Sequence, residues 1–154
     1  MRNLPSLIAF ILLVLGGGTL IGLSSVPDAW YAGLNKPSFT PPNVVFAPVW
    51  SALYIMIAAA GWRAWHAPPT ARRGLMAVWI VQLALNFIWS PFFFSAHRIG
   101  LALADIVLLF AAIVTFITLA ARRGETAAAL LMLPYAAWVA FATALNVAFL
   151  RLNG

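Results

Sequence analysis

The sequence predicts an all-α fold, an integral membrane bundle of five transmembrane helices forming one domain over residues 1–154. Three observations carry this expectation. Of 154 residues, 64% are apolar and only 8% are charged, whereas a soluble domain keeps roughly a quarter of its residues charged. The mean hydropathy is +0.99, so the chain cannot clothe a water-facing surface and its solvent is lipid. Five apolar stretches each reach the roughly 20 residues a helix needs to cross the hydrocarbon layer. Turn and charge signals separate them, and no room is left for a soluble domain.

The first span, Leu4–Ser25, follows Arg2 as a secretory signal would. Its apolar run is longer than the usual core of such a signal and no A-x-A cleavage site follows, so it is read as a retained helix. Within it, Gly16-Gly17-Gly18 permits a close backbone approach or a helix distortion. Residues 27–42 form a lid loop opened by Pro27-Asp28 and containing Trp30, Tyr31, Lys36 and Phe39. Pro37, Pro41 and Pro42 fix φ and remove backbone donors, which predicts a stiff, extended connector rather than a helix. Its aromatic plates suit the membrane interface or a stacked ligand.

The second span, Asn43–Trp65, repeats Phe46, Trp50 and Tyr54 every four residues. After His66-Ala67-Pro68-Pro69 and Arg72-Arg73 comes the third, Leu75–Ala96, with Gln82, Asn86, Trp89 and Phe93 along one stripe and Ser90 beside it. His97-Arg98 leads into the fourth span, Gly100–Ala121, which contains Asp105, the one acid inside a span. A proton relay would need further ionisable groups in a chain, so Asp105 is read as the partner of Arg98 or His97. The Arg122-Arg123-Gly124-Glu125 turn precedes the fifth span, Ala127–Leu150, which aligns Tyr135, Trp138, Ala142, Asn146 and Phe149.

Composition also excludes functions. The chain has no cysteine, which removes disulfides, thiolate nucleophiles and the usual zinc and iron–sulfur sites. A net charge of +6 does not signal nucleic acid, because the arginines stand singly or in pairs between spans with no basic helix face. His66 and His97 lie in connectors, away from any internal metal site. No base neighbours Ser51 or Ser90, and no phosphate loop or carboxylate pair appears, so hydrolase and metalloenzyme readings fall away. The N-terminus and the odd-to-even connectors hold Arg2, His66, Arg72, Arg73, Arg122 and Arg123, against Lys36, Arg98 and Arg151 opposite. That excess places the N-terminus in the cytoplasm and the lid outside, for insertion in a bacterial inner membrane; the outer membrane is the alternative.

Depth brings the polar residues together. The second span begins on the lid side, while the third and fifth finish there. At 1.5 Å per residue, Trp50, Asn86, Ser90, Ala142 and Asn146 all lie within roughly three turns of the lid. Any one of the amides also reads as hydrogen-bonding glue between helices, and any one tryptophan as an interfacial anchor. The set sharing one depth reads as a pocket open towards the lid. Ala142, one turn past Trp138, leaves room beside an indole, although small residues also serve close helix packing.

With these residues in view, the chain resembles the TspO/MBR family, the tryptophan-rich sensory and translocator proteins. Four blocks in order carry the resemblance: Trp30-Tyr31-x-x-Leu34-x-Lys36-Pro37-x-x-x-Pro41-Pro42; Phe46-x-Pro48-x-Trp50-x-x-Leu53-Tyr54; Gln82-x-x-Leu85-Asn86-x-x-Trp89-Ser90-Pro91-x-Phe93-Phe94; and Pro134-Tyr135-x-x-Trp138-x-x-x-Ala142-Thr143-x-x-Asn146. The resemblance implies a five-helix bundle, usually a homodimer, that binds porphyrins, haem-related tetrapyrroles, sterols and benzodiazepine-type ligands. It implies a ligand pocket built from Tyr31, Trp50, Tyr54, Asn86, Ser90, Phe93, Trp138, Ala142 and Asn146. No cofactor is required, and porphyrin or haem is the ligand, its propionates within reach of Lys36, Arg98 or Arg151. An alternative role is light- and oxygen-dependent porphyrin breakdown, with Trp50 and Trp138 as the catalytic candidates. The chain departs from the family pattern at Ser38-Phe39, where some bacterial members carry a tryptophan, and at Phe149, where the sterol-recognition stretch wants a tyrosine.

Overall fold

The computed structural model describes residues 4–154 and holds α1 (Leu4–Ser24), α2 (Ala29–Gly33), α3 (Asn43–Trp65), α4 (Pro69–Ser90), α5 (Ile99–Arg122) and α6 (Thr126–Asn153), with no strand among the described residues. Five of these, all but α2, are long and apolar enough to cross a membrane, α4 being prolonged by a wider turn to Ser95. Arg2, counted above on the N-terminal side, lies outside the described residues.

Helix starts and stops explain where the spans differ from expectation. The third begins six residues before Leu75, because Pro69 takes the first helical position, where its missing N–H breaks no bond. Arg72 and Arg73 therefore ride on the first turns of α4 instead of a loop, and the Arg72 guanidinium sits 5.5 Å from the Trp65 ring. At the other end Pro91 cannot donate to the α-ladder. The helix widens there into a π-helical turn, Pro91–Ser95, closed by Ala96 N–H donating to Pro91 O at 2.8 Å.

The lid is not wholly extended. Between Pro27 and Pro37, Asp28 caps the five-residue helix α2 by accepting the Tyr31 N–H at 3.2 Å. From Leu34 onward the strap is non-helical up to Asn43. It is tied to the end of α6 by a reciprocal pair: Asn35 N–H donates to Asn153 Oδ1 at 2.8 Å, and Asn153 Nδ2 donates to Asn35 O at 3.0 Å.

The five long helices close a ring in the order α1, α3, α6, α5, α4, with α3 also touching α4 across it. The main core fills the half of the bundle away from the lid. There Ile57, Leu75, Leu109, Ile113, Phe116, Met132 and Tyr135 are fully or almost fully buried. A small residue permits one close contact in it: a Cβ on Gly61 would collide with the Trp79 indole, whose Nε1 donates to Ile57 O at 2.9 Å. A second apolar cluster, Tyr31, Phe93, Ile99, Ala102, Leu145 and Phe149, packs beneath the lid. At the far end of α3, Arg63 and Glu125 approach to 3.6 Å.

Asp105 does not pair with Arg98 or His97. Arg98 precedes it by seven residues, about 10 Å along a helix axis, and His97 is engaged by Asp28 at 3.0 Å. The Asp105 carboxyl instead turns into the bundle, 6% exposed, with Oδ2 buried and unpartnered.

Candidate functional site

Between the main core and the lid lies a cavity of about 590 Å³. Tyr31, Trp50, Tyr54, Asn86, Ser90, Phe93, Trp138, Ala142 and Asn146 all line it. Its floor is the upper edge of the core, where Ile106, Leu109 and Val139 face upward, and Pro27 and Tyr31 contribute at the lid.

Each wall follows from helical phase. On α3 the four-residue repeat aims Phe46, Trp50 and Tyr54 inward, the Trp50 and Tyr54 rings tilted at 35° with centroids 5.2 Å apart. On α6, Trp138, Ala142 and Asn146 recur every four residues, and the Phe46 ring meets the Trp138 indole edge-on at 5.9 Å. On α4, Trp89 and Ser90 face the cavity, and the π-helical turn brings Phe93 and Phe94 into the same wall. Trp89 stacks on Phe93 at 5.3 Å, and Tyr31 meets Phe94 at 5.2 Å.

The amides hold this wall in place. Asn146 Oδ1 accepts from Trp89 Nε1 at 3.1 Å while its Nδ2 donates to Ile99 O at 3.1 Å, clamping α4, α5 and α6 together. Asn86 Nδ2 donates to the Tyr135 hydroxyl at 2.8 Å, which leaves Asn86 Oδ1 buried and unpartnered beside the cavity. The same amide side chains therefore both bridge helices and line the space.

No charged side chain and no histidine lines the cavity, and no cluster of three potential metal ligands occurs among the described residues. Of the cations expected near a ligand, Lys36 lies outside, its Nζ 4.8 Å from the Tyr31 ring centroid. Lys36 and Arg151 border a separate, shallower cleft with Phe39. Arg98 lines neither. Desolvation raises the Tyr31 phenol above its ordinary range. At the lid's hinge the Asp28 carboxyl is held below the usual carboxylate range, by the Tyr31 N–H first and by His97 after it. Chemically the cavity offers flat apolar faces, a few fixed amides and hydroxyls, and no base positioned to activate a nucleophile.

Sequence reasoning missed the wall supplied by α1, Leu15, Gly18, Thr19, Ile21 and Gly22, and by Ser25 just beyond its end. The glycine run was its signal. A Cβ on Gly18 would enter the Tyr54 ring, so it is the absence of a side chain there that lets α1 close against the cavity aromatics.

A model of the TspO/MBR family matches residues 9–152 of the chain. The chain is 39% identical over 154 residues to the tryptophan-rich protein TspO of Archaeoglobus fulgidus, covering 98% of this chain and 99% of that one. It is 39% identical over 127 residues to the human translocator protein, covering 80% and 75% respectively. With the tryptophan-rich sensory protein of Cereibacter sphaeroides it shares 34% identity over 138 residues, covering 90% and 85%.

Proposed function

The chain belongs to the TspO/MBR family of integral membrane proteins of sensor or receptor type, and from that premise we propose that it binds porphyrins and related tetrapyrroles beneath its lid. One observation carries the reading: a cavity of about 590 Å³ with tryptophan, tyrosine and phenylalanine on several walls and no charged or histidine side chain on any. That volume falls within the ~300–1,000 Å³ typical of small-ligand sites. Indole and phenyl faces match a flat macrocycle. With no imidazole among the lining residues, the ligand is held by stacking and burial, whether it is a metal-free porphyrin or haem. Its propionates would point out towards the lid, where Lys36 and Arg151 stand. We place the protein in a bacterial inner membrane with the N-terminus cytoplasmic, acting as a homodimer.

The test is titration with protoporphyrin IX in detergent or nanodiscs, followed by tryptophan quenching. Saturable quenching at micromolar concentration or below is expected. Ala142→Leu fills space on the lining face one turn past Trp138, and overpacking of about 1–3 kcal/mol should weaken binding by roughly 5- to 150-fold with helicity retained. Absence of saturable quenching in the wild type, or a haem spectrum signed by histidine ligation, would overturn the proposal.

A second reading rests on the two indoles Trp50 and Trp138 on the lining. Oxidisable rings against a photosensitising macrocycle suit light- and oxygen-dependent porphyrin breakdown, and replacing them separates this activity from binding.

A further inference from the structure

The lid meets the bundle at a junction that the ligand reading does not use. His97 follows the π-helical turn and stands in the left-handed region, with φ of 56°, a conformation uncommon outside glycine. From there its Nε2 reaches Asp28 Oδ2 at 3.0 Å, and its ring lies flat on the Trp30 indole, with centroids 4.2 Å apart and planes 19° from parallel. The other carboxylate oxygen of Asp28 caps α2 through the Tyr31 N–H, and Tyr31 lines the cavity. One carboxylate thus links an imidazole at the α4–α5 junction to a ring beneath the lid.

We propose that His97 is a positioning residue acting as a proton-sensitive latch: protonated, it clamps Asp28 and Trp30 and holds the lid closed; deprotonated, it lets the lid open. The inference rests on the ligand site proposed above, to which the lid contributes Pro27 and Tyr31. Imidazole is the side chain whose ordinary titration, near ~6.5, falls in the physiological range. The imidazole and carboxylate side chains of the pair are 36% and 48% exposed, so protons reach them without passing through the bundle.

The sign follows from both contacts. The imidazolium makes a charge-assisted hydrogen bond to Asp28 and a cation–π contact with Trp30. The neutral ring retains at most a hydrogen bond in one tautomer. The latch is therefore tight with the imidazole protonated and loosens once it is neutral. Asp28, held below the ordinary carboxylate range first by the Tyr31 N–H, keeps its charge while the latch is closed. Among the described residues, Asp28 is the only carboxylate within 4.0 Å of His97. Arg98 adjoins it in the chain, Ser25 and Ser95 make an uncharged contact of 3.3 Å nearby, and Lys36 is turned to Tyr31.

The test uses the absence of native cysteine. Ala32→Cys, exposed on α2, takes a spin label in the full-length protein in nanodiscs without ligand. From pH 5.5 to pH 8 the ratio of mobile to immobile label should rise about three- to fivefold, the scale of an exposed charge pair. His97→Gln should stay near the high-pH level throughout. His97→Lys, whose ammonium keeps its charge across this range, should stay near the low-pH level. Asp28→Asn should abolish the dependence. A flat wild-type profile, or a pH response surviving in His97→Gln, would overturn the latch. Protoporphyrin IX dissociation, measured in parallel, should quicken by a similar factor; a lid that loosens without quickening release would refute gating of the cavity. A label that titrates in protein that binds no protoporphyrin would refute the tetrapyrrole reading and leave the latch standing.

Discussion

Three neighbouring glycines on α1 should answer three different questions when each becomes alanine. Alanine in a helix is favoured over glycine by up to about 1 kcal/mol, and that gain is common to all three. At Gly16 nothing lies within 4 Å of the added carbon, so the variant should be neutral or slightly more stable and bind as wild type. At Gly17 the carbon arrives 2.8 Å from Cε2 and Cζ of Phe87, a ring that does not line the cavity. An overpacking cost of about 1–3 kcal/mol should then appear in stability and leave ligand affinity unchanged. At Gly18 the carbon falls within 2.9 Å of Tyr54 Cδ2 and nearer still to Cε2 and Cζ. Gly18 and Tyr54 both border the cavity, so the ring is relieved by swinging into empty space. Stability should stay within about 1 kcal/mol of wild type, while the displaced ring takes roughly 1–2 kcal/mol from binding, about 5- to 30-fold in Kd. The assay is thermal unfolding in detergent beside protoporphyrin titration for all three variants. Equal weakening by Gly17→Ala and Gly18→Ala, or unchanged affinity with lost stability at Gly18, would refute the account of the α1 wall.

Two further predictions are independent of this one. Trp50→Phe and Trp138→Phe keep an apolar plate, so porphyrin binding should largely survive while Soret bleaching under fixed illumination, normalised to bound ligand, slows by twofold or more; equal rates would reduce the breakdown to ordinary photobleaching. Asp105→Asn removes a buried acid whose Oδ2 has no partner and should raise thermal stability by about 1–3 kcal/mol. A lower melting temperature would mean that Asp105 has a structural partner.

What could be read in the sequence was whatever depends on period and length. Spans of apolar residues give helices, four-residue repeats give faces, and alternating direction gives depth, so Trp50, Asn86 and Asn146 could be brought to one level without coordinates. What could not be read depends on contacts between elements. Asp105 was assigned to Arg98 or His97 on proximity in the chain, yet helical phase turns it inward and His97 finds Asp28 across the lid. The proline-rich lid conceals a short helix because α2 depends on the Asp28 cap and fits between Pro27 and Pro37. The α1 wall escaped because its signal is three glycines, and the meaning of a missing side chain lies in the neighbour that fills its place.

The wider turn at Pro91 also has a reading in terms of insertions and deletions. A π-helical turn amounts to an α-helix carrying one surplus residue. Removing one residue from 91–95 would close the ladder while the residues before and after the turn keep their aspect. Trp89, Ser90 and His97 would hold their directions, but the turn would no longer bring Phe93 and Phe94 together into the wall. Chain length in this segment is therefore itself a determinant of the cavity. When related sequences are compared, a one-residue gap here should count as a change of site, even where every lining residue is identical.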